Sequence, residues 1–435
     1  MPDVIPGLDP LTQPFGRNPG ATEIANVRHD RPNLQGFVTD AESEAALQAG
    51  LSGLLPEAPD LRRGGIRAAH AVMQKSATPR ILVVDISGEA QPLKALGELA
   101  AVVEPDVCVL VIGEHDSTDF YREVTRGLGA ADYLAKPLTR ESVARHFGSF
   151  VLGRGPSSEA VLGGRVLTVS GVRGGVGAST VAANLAWYLG ATLRHHTVLL
   201  DPDLYRGTAA FLFNLQAGAG LRTALEFPER IDSLLAERAA VPASDRLHVL
   251  AGEERLSTPL AYAHGAAERL VDSLRKRYNF VIADVPFIPV PLHRDLLDLA
   301  HQRVLVLEPT LADMRDTLRL LALPAGPRQT QGAVLVLNRL GLPGGLSRRQ
   351  VEDGLKVKVD VVIPDLPRPM RQAANLGEPA IATSSAFRRV MTELARQVAA
   401  LALLDPAAVD GPAVLHRRRW LAMPRLARPA GRKAA

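Results

Sequence analysis

The stretch that decides the fold of the C-terminal half is Val166-Leu-Thr-Val-Ser170-Gly171-Val-Arg-Gly-Gly-Val-Gly177-Ala-Ser-Thr180. Its first five residues are mostly apolar or β-branched and predict a strand, and the apolar residues 181–189 predict a helix. A glycine-rich turn between a strand and a helix collects backbone N–H groups, and the helix dipole favours an anion there. Glycines also leave room for a close approach of phosphate. The stretch therefore predicts a phosphate site.

The loop itself supplies the predicted phosphate ligands through its backbone N–H groups. They belong to Arg173, Gly174, Gly175, Val176, Gly177, Ala178, Ser179 and Thr180. The Ser179 hydroxyl stands where such loops place a Mg²⁺ ligand. The dinucleotide fingerprint G-x-G-x-x-G does not match, because Gly175-x-Gly177 is followed by Thr180. The alternative is a tight glycine turn without a ligand, and three downstream elements argue against it.

Those three elements are polar residues at the ends of apolar runs. Asp201 and Asp203 follow a strand-like run, Asp284 ends the run at 280–284, and Asn338 ends the run at 333–338. Carboxylates at the carboxyl ends of parallel strands can hold Mg²⁺ or orient water beside a phosphate site. A solvated Asp-Pro turn is the alternative for the first pair, and helix capping is the alternative for Asp284. Asn338 could contact an adenine edge, which alone is a weak signal.

The order of these motifs resembles the MinD/ParA family of deviant Walker A ATPases over most of residues 164–404. The matching segments are GGVGAST, LLDPD, VIADVP, LVLEPT, LVLNR and IPDLPRPMRQAANLGEPA. Within that family they are most similar to the CpaE/TadZ branch, which is associated with assembly of Tad-type (Flp) pili. The resemblance implies ATP and Mg²⁺ as cofactors, with Asp203 orienting the hydrolytic water. It also implies that Ser179, Asp201 and Asp284 lie on the magnesium side, and that Asn338 contacts adenine.

Two loop positions depart from MinD and ParA, which carry two lysines here. Arg173 replaces the lysine that reaches the partner's nucleotide in an ATP-bound sandwich dimer, and it keeps a long cation. Ala178 replaces the lysine beside the β- and γ-phosphates. A missing unit charge about 4 Å from phosphate forgoes roughly 4 kcal/mol at an effective dielectric near 20. The resemblance therefore implies an ATP-dependent homodimer with slow or absent hydrolysis.

The N-terminal half also predicts a parallel sheet, because short apolar runs at 36–39, 80–84, 107–112 and 132–134 alternate with helical patterns. Residues 129–138, which include Lys136, resemble the fifth-strand signature of response-regulator receiver domains, where the peptide after the lysine is cis. The resemblance makes Asp85 a candidate phosphoacceptor, with Asp40 on its Mg²⁺ side. The usual hydroxyl after the fourth strand is replaced by Gly113. We therefore favour a receiver-like docking or dimer surface over phosphorylation.

The predicted fold class is α/β, with two doubly wound parallel-sheet domains. The first is receiver-like (flavodoxin-like), and the second is a P-loop domain of the MinD/ParA kind. The predicted boundaries are a disordered arm at 1–34, the degenerate receiver-like domain at 35–152, a linker at 153–163, the nucleotide-binding domain at 164–404 and a basic tail at 405–435.

Composition excludes several classes of protein. The single cysteine, Cys108, rules out an intrachain disulfide and suits a reducing cytoplasm, where it predicts a buried strand thiol. The N-terminus lacks the pattern of a signal peptide, and no apolar run reaches 18 residues. The 11 histidines show no ligand spacing, so no transition-metal site is predicted.

The C-terminal tail is basic from His416-Arg-Arg-Arg-Trp420 onward. Two interpretations of this tail stay open: a solvated tail and a segment that makes a weak contact with the anionic inner membrane. Pro424 and Pro429 limit any helix there to about two turns. Nucleic-acid binding is the least favoured reading, because few aromatic residues are interleaved with the charges.

These observations predict a cytoplasmic ATP-binding localisation or scaffold factor for pilus or secretion-machine assembly, peripheral to the inner membrane or at a cell pole. Its expected partners are a second copy and components of that machine. Two alternatives stay open: a membrane-cycling ATPase of the MinD or flagellar-number type that selects septum or organelle sites, and a receiver-domain signalling protein. A DNA-segregating ParA is least favoured, because the formal net charge is only +4.

Overall fold

The structure is a computed structural model that describes residues 31–55, 58–152, 164–232, 238–329 and 332–398. Most of the predicted arm, the predicted linker at 153–163 and the predicted basic tail lie outside the described residues. The domain boundaries drawn from the sequence stay predictions.

The first sheet has five parallel strands in the order β2-β1-β3-β4-β5, which is the flavodoxin-like order. Its strands are β1 (Leu34–Val38), β2 (Asp60–Arg63), β3 (Ile81–Asp85), β4 (Cys108–Gly113) and β5 (Asp132–Ala135). Its helices are α1 (Ala41–Leu51), α2 (Gly65–Met73), α3 (Pro92–Val102), α4 (Thr118–Arg122, continued by a π-helical turn, Glu123–Gly127) and α5 (Arg140–Val151). We call residues 31–152 the N-terminal domain.

The second sheet has eight strands in the order β13-β12-β11-β6-β10-β7-β9-β8, and every pairing except β8 with β9 is parallel. The strands are β6 (Arg165–Gly171), β7 (Thr197–Asp201), β8 (Val241–Pro242), β9 (Leu247–Ala251), β10 (Phe280–Asp284), β11 (Gln302–Leu307), β12 (Val334–Leu340) and β13 (Val361–Pro364). We call residues 164–398 the C-terminal domain.

Helices cover both faces of the second sheet. They are α6 (Ala178–Trp187, continued by a π-helical turn, Tyr188–Thr192), α7 (Leu221–Glu226), α8 (Ala266–Arg275), α9 (Pro291–Leu299), α10 (Leu311–Leu321), α11 (Arg348–Leu355), α12 (Pro367–Leu376), α13 (Ala380–Thr383) and α14 (Ser385–Val398). Short 3₁₀ turns lie at Phe211–Phe213 and Pro228–Arg230.

The central strands are mostly apolar because each one contributes to two cores. Leu167, Leu199 and Ile282 pack with α6 and α14 on one face. Val198 and Val281 pack with α7, α8 and α9 on the other face. Continuous apolar runs are expected for strands that are covered on both sides. The predicted α/β fold class, with its two parallel sheets, is confirmed.

Two strands were missing from the sequence prediction. The residues of β2 are Asp-Leu-Arg-Arg, and this edge strand is mostly exposed, so no apolar run marks it. The two residues of β8 pair antiparallel at the other edge.

Cys108 lies on β4 and is only partly buried, although burial raises the pKa of its thiol to about 11. Among the described residues, no helix is long and apolar enough to cross a membrane.

Candidate functional site

The glycine-rich loop links β6 to α6, as the sequence predicts. Gly175 and Gly177 have φ angles of 87° and 91°, a region that side chains rarely adopt, and Gly177 caps the N-terminus of α6. The Val172 N–H donates to the Val306 carbonyl at 3.0 Å, which fixes the loop to β11. Val172 and Val176 are buried beneath the loop. The loop is therefore held at the carboxyl edge of the sheet, with the N-terminus of α6 directed at its centre.

Asn338, at the end of the apolar part of β12, hydrogen-bonds to this loop. Its Nδ2 donates to the Val176 carbonyl at 2.8 Å, and its Oδ1 accepts from the Arg339 N–H at 2.9 Å. A Cβ atom on Gly177 would lie 2.6 Å from Asn338 Nδ2, so that position accepts only glycine without a shift. The structure thus gives Asn338 a role in loop support, and its contact with adenine stays a prediction.

Two predicted carboxylates end neighbouring strands beside the loop. Strand β10 lies between β6 and β7, so Asp284 lies between the loop strand and the strand that ends at Asp201. Both carboxylates are buried, with 7% and 2% of the residue exposed. Asp201 accepts from the Ala209 N–H at 3.0 Å and from the Asp203 N–H at 3.2 Å. Ser179, at the start of α6, lies close enough to Asp284 to lower its pKa, which opposes the effect of burial.

The electrostatics of this pair are unfavourable in the protein alone. Burial, followed by repulsion from Asp201, raises the pKa of Asp284 to about 7. Burial likewise raises the pKa of Asp201 to about 6, against the hydrogen bonds from backbone N–H groups. In the part of the chain that the structure describes, neither carboxylate forms an ion pair. Buried carboxylates of this kind are stabilised by a cation.

The side chains present suit Mg²⁺ bound together with phosphate better than a metal held by protein alone. Among the described residues, no three His, Cys, Asp or Glu side chains converge as a metal site. Mg²⁺ usually keeps several waters and takes one or two carboxylates plus phosphate oxygens. Ser179, Asp201 and Asp284 could supply that share, and phosphate on the loop could supply the rest.

Asp203 occupies the turn that follows β7. Its Oδ1 accepts from the N–H groups of Tyr205 and Arg206 at 3.1 and 3.0 Å, and its Oδ2 lies 3.6 Å from Arg206 Nε. This geometry matches the turn that was the alternative reading of the sequence. The role of Asp203 in orienting water therefore stays a prediction.

Arg173 lies at the same carboxyl edge and is held by a residue that the sequence reading missed. Its NH1 donates to Asp316 Oδ2 on α10 at 2.7 Å, and its Nε lies 3.9 Å from Asp313. The Arg173 side chain is 45% exposed, so its guanidinium is accessible to a second molecule. The only hint that the sequence offers for Asp316 is its position in the helix that follows the LVLEPT segment.

The predicted acidic residues of the N-terminal domain also converge. Lys136 Nζ lies 2.7 Å from Asp85 Oδ2 and 2.5 Å from Asp40 Oδ2, and the Lys136–Pro137 peptide is cis. Thr39, which the sequence reading did not select, donates its hydroxyl to Asp85 at 2.6 Å. Burial raises the pKa of Asp85, but Lys136, Ser87 and Thr39 outweigh it and hold that pKa below its usual range. Phosphorylation of Asp85 stays a prediction.

Replacing Lys136 with methionine is expected to destabilise the chain by about 3 kcal/mol at pH 7, because two carboxylates then face each other without a cation. The Asp85 side chain is fully buried, and that of Lys136 is 17% exposed. Since the pKa of Asp85 is depressed in the folded chain, the stabilisation is present above its unfolded value and declines as pH falls through the folded value. Urea unfolding at several pH values measures this.

The matched control for that variant is Arg67→Met. Arg67 pairs with Glu89 through a side chain that is 80% exposed, and exposed pairs contribute little. We expect its unfolding midpoint to equal that of the unmodified chain. An equal loss of unfolding free energy in both variants would mean that burial of the Lys136 ion pair does not increase its contribution to stability.

Comparisons with known proteins concern mainly the second sheet. Residues 165–342, less than half of the chain, match the family model described as cellulose biosynthesis protein BcsQ. A comparison with curated proteins finds no match.

Several solved structures are similar in fold. A ParA family ATPase from Chlorobium tepidum TLS is 18% identical, covers 54% of this chain and 98% of its own, and has a TM-score of 0.48. The septum site-determining protein MinD from Pyrococcus horikoshii OT3, solved with Mg-ADP, is 22% identical, covers 54% and 95%, and has a TM-score of 0.46. A pilus assembly protein CpaE from Caulobacter crescentus CB15 is 30% identical, covers 27% and 97%, and has a TM-score of 0.26.

Proposed function

We propose that the chain is a MinD/ParA-like ATP-binding assembly factor, whose C-terminal domain holds Mg-ATP at the carboxyl edge of its sheet. The observation that supports this most directly is the pair of buried carboxylates, Asp201 and Asp284, beside the glycine-rich loop, with which no cationic side chain of the described residues pairs. A Mg²⁺ ion bound with phosphate would offset their repulsion, and the loop N–H groups would bind the phosphate oxygens.

In this proposal the residues of the site bind phosphate, magnesium, water and adenine. The backbone from Arg173 to Thr180 binds the phosphates, and Ser179, Asp201 and Asp284 lie on the magnesium side. Asp203 orients water, and Asn338 contacts adenine while it supports the loop. Because Ala178 supplies no charge to the transferring phosphoryl group, hydrolysis is slow or absent. The chain then acts through a nucleotide-held state.

That state is a homodimer in which Arg173 reaches the nucleotide of the second copy. Its guanidinium is accessible, and Asp316 holds it at the same edge as the loop. Arginine can bind phosphate oxygens with two parallel hydrogen bonds, so the replacement of lysine keeps this capacity. ATP binding would favour the dimer, because the occupied site of the second copy would offer phosphate oxygens to the exposed part of the Arg173 guanidinium.

Light scattering of the full chain tests this proposal. We expect the mass to double on addition of saturating Mg-ATP, and we expect the Arg173→Ala chain to stay monomeric while it still binds nucleotide. The control is Arg315→Ala, since Arg315 also donates to Asp316 and its side chain is 67% exposed. That variant should dimerise like the unmodified chain. An unchanged mass at saturating Mg-ATP would refute the nucleotide-dependent dimer.

The machine that the dimer serves is, in this proposal, a Tad-type pilus or a related secretion system. The motif order, Arg173 and Ala178 of the sequence support it. The family model described as a cellulose biosynthesis protein supports a second candidate, cellulose biosynthesis. Deletion of the gene separates the two: loss of surface pili with normal cellulose supports the first, and the converse supports the second.

Two further expectations belong to the same proposal. The Asp40, Asp85 and Lys136 cluster marks a docking surface for a component of the machine, and the basic tail supplies a weak contact with the inner membrane. Flotation with vesicles that contain anionic lipid measures the second. A chain that ends at residue 404 should then float less than the full chain.

A further inference from the structure

The two domains meet through side chains that stand just before three strands of the second sheet. His195 precedes β7, Arg246 precedes β9 and Asn279 precedes β10, so all three lie at the amino edge of that sheet. Their partners are main-chain carbonyls at the C-terminal ends of α2 and α3 in the N-terminal domain. The contact surface is therefore on the edge opposite the glycine-rich loop.

Arg246 contacts three carbonyls of the N-terminal domain. Its NH2 donates to the Met73 carbonyl at 2.5 Å and to the Ser76 carbonyl at 2.9 Å, and its NH1 lies 3.5 Å from the Val102 carbonyl. Only 4% of the residue is exposed. The last carbonyls of a helix have no partner within the helix, and a cation there also interacts favourably with the helix dipole. One guanidinium thus caps two helices of the other domain.

His195 and Asn279 extend this capping along α3. His195 donates through Nδ1 to the Ala101 carbonyl at 2.5 Å, so the proton must be on Nδ1. Asn279 Nδ2 donates to the carbonyls of Ala100 and Val103 at 3.2 and 2.9 Å. Separation of the domains would leave these carbonyls and a buried guanidinium to be solvated or unpaired, which is costly.

We infer that the amino edge of the C-terminal domain is a built-in docking surface for the N-terminal domain, and that Arg246 holds the two domains as one rigid body. The described residues of both domains lie in a single compact unit. In a parallel sheet, the C-terminal end of each crossover helix lies at the amino edge, where the next strand begins. The two sheets therefore meet amino edge to amino edge.

This arrangement places the two acidic sites at opposite ends of the body. Lys136 and Asp85 lie at the carboxyl edge of the first sheet, and Asp284 lies at the carboxyl edge of the second. The N-terminal domain consequently leaves the glycine-rich loop open. If the dimer of the proposed function forms, on which this last step rests, both N-terminal domains point outward and offer two copies of the Lys136 surface to partners.

The test uses the full chain with a flexible ten-residue Gly-Ser insertion after Leu152. If the contact surface and not the tether holds the domains, small-angle scattering of the extended chain should report the radius of gyration expected for the docked body. Adding Arg246→Met should separate the domains, increase that radius and raise the rate of protease cleavage in the insertion at least about tenfold. Asn279→Ala in the extended chain should also increase the radius of gyration and the cleavage rate. The same result from both variants would show that it does not come from a folding defect of Arg246→Met alone.

The matched control is Arg194→Met in the extended chain. Arg194 donates to the Gln74 carbonyl at 3.2 Å from the rim, where its side chain is 31% exposed, and it should leave the docked state unchanged. Separation of the extended chain without any other substitution would overturn the inference, and so would an extended Arg246→Met chain that stays docked. Mg-ATP binding and dimer mass are measured in parallel, so a failure of the proposed function is seen separately.

Discussion

An Ala178→Lys chain is expected to hydrolyse ATP about 10²–10³ times faster than the unmodified chain. The substitution places an ammonium group at the N-terminus of α6, beside the site proposed for the phosphates. The charge acts most strongly in the transition state, where the transferring phosphoryl group needs neutralisation. The two carboxylates whose pKa values are raised by burial, Asp201 and Asp284, end strands at the same edge of the sheet, so added positive charge at this edge would also favour their ionised forms. Phosphate release at saturating Mg-ATP measures the rate.

The matched control is Ala178→Met, which adds similar length without charge. We expect its hydrolysis to equal that of the unmodified chain and its nucleotide affinity to fall slightly, because Ala178 packs partly against the core. If lysine and methionine give the same rate, charge at this position does not limit turnover. Fast hydrolysis by the unmodified chain would contradict the proposal of a nucleotide-held state directly.

The sequence predicted the structure well where a continuous apolar run ends in a polar residue. Continuous apolar runs located most strands within one or two residues, since a strand covered on both faces has few polar positions. Asp201 and Asp284 could be selected because each one ends such a run. Their mutual repulsion could not be predicted, because it depends on the placement of β10 between β6 and β7.

Hydrogen bonds from side chains to main-chain carbonyls could not be predicted from the sequence. Arg246, His195 and Asn279 are single polar residues before strands, and their acceptors are carbonyls that carry no sequence signature. The hydrogen bond from Asn338 to the loop carbonyl of Val176 was also not predicted. The contact of Asn338 with adenine stays a prediction. An edge strand such as β2 has neither periodicity nor burial to mark it.

Asp284→Asn is expected to make the metal-free chain more stable, by about 2–4 kcal/mol at pH 8. Burial and repulsion from Asp201 raise the pKa of Asp284 from an ordinary 3.8 to about 7 in the folded chain. Between these values the folded chain binds more protons than the unfolded chain, so its stability falls as pH rises from about 4 to 7. Asparagine removes this loss and keeps an oxygen that accepts from Ser179. Urea unfolding in a chelating buffer measures it.

The gain in stability should vanish near pH 4, because Asp284 is then protonated in the folded chain. It should also reverse when Mg-ATP is present: ligand binding stabilises the folded state of the unmodified chain, and the variant loses a carboxylate on the magnesium side. The control Asp353→Asn alters a carboxylate whose side chain is 71% exposed on α11 and should change neither quantity. A destabilised Asp284→Asn chain at pH 8 would show that this carboxylate serves the fold. Stabilisation combined with weaker Mg-ATP binding would instead identify it as a residue kept for its ligand at the expense of stability.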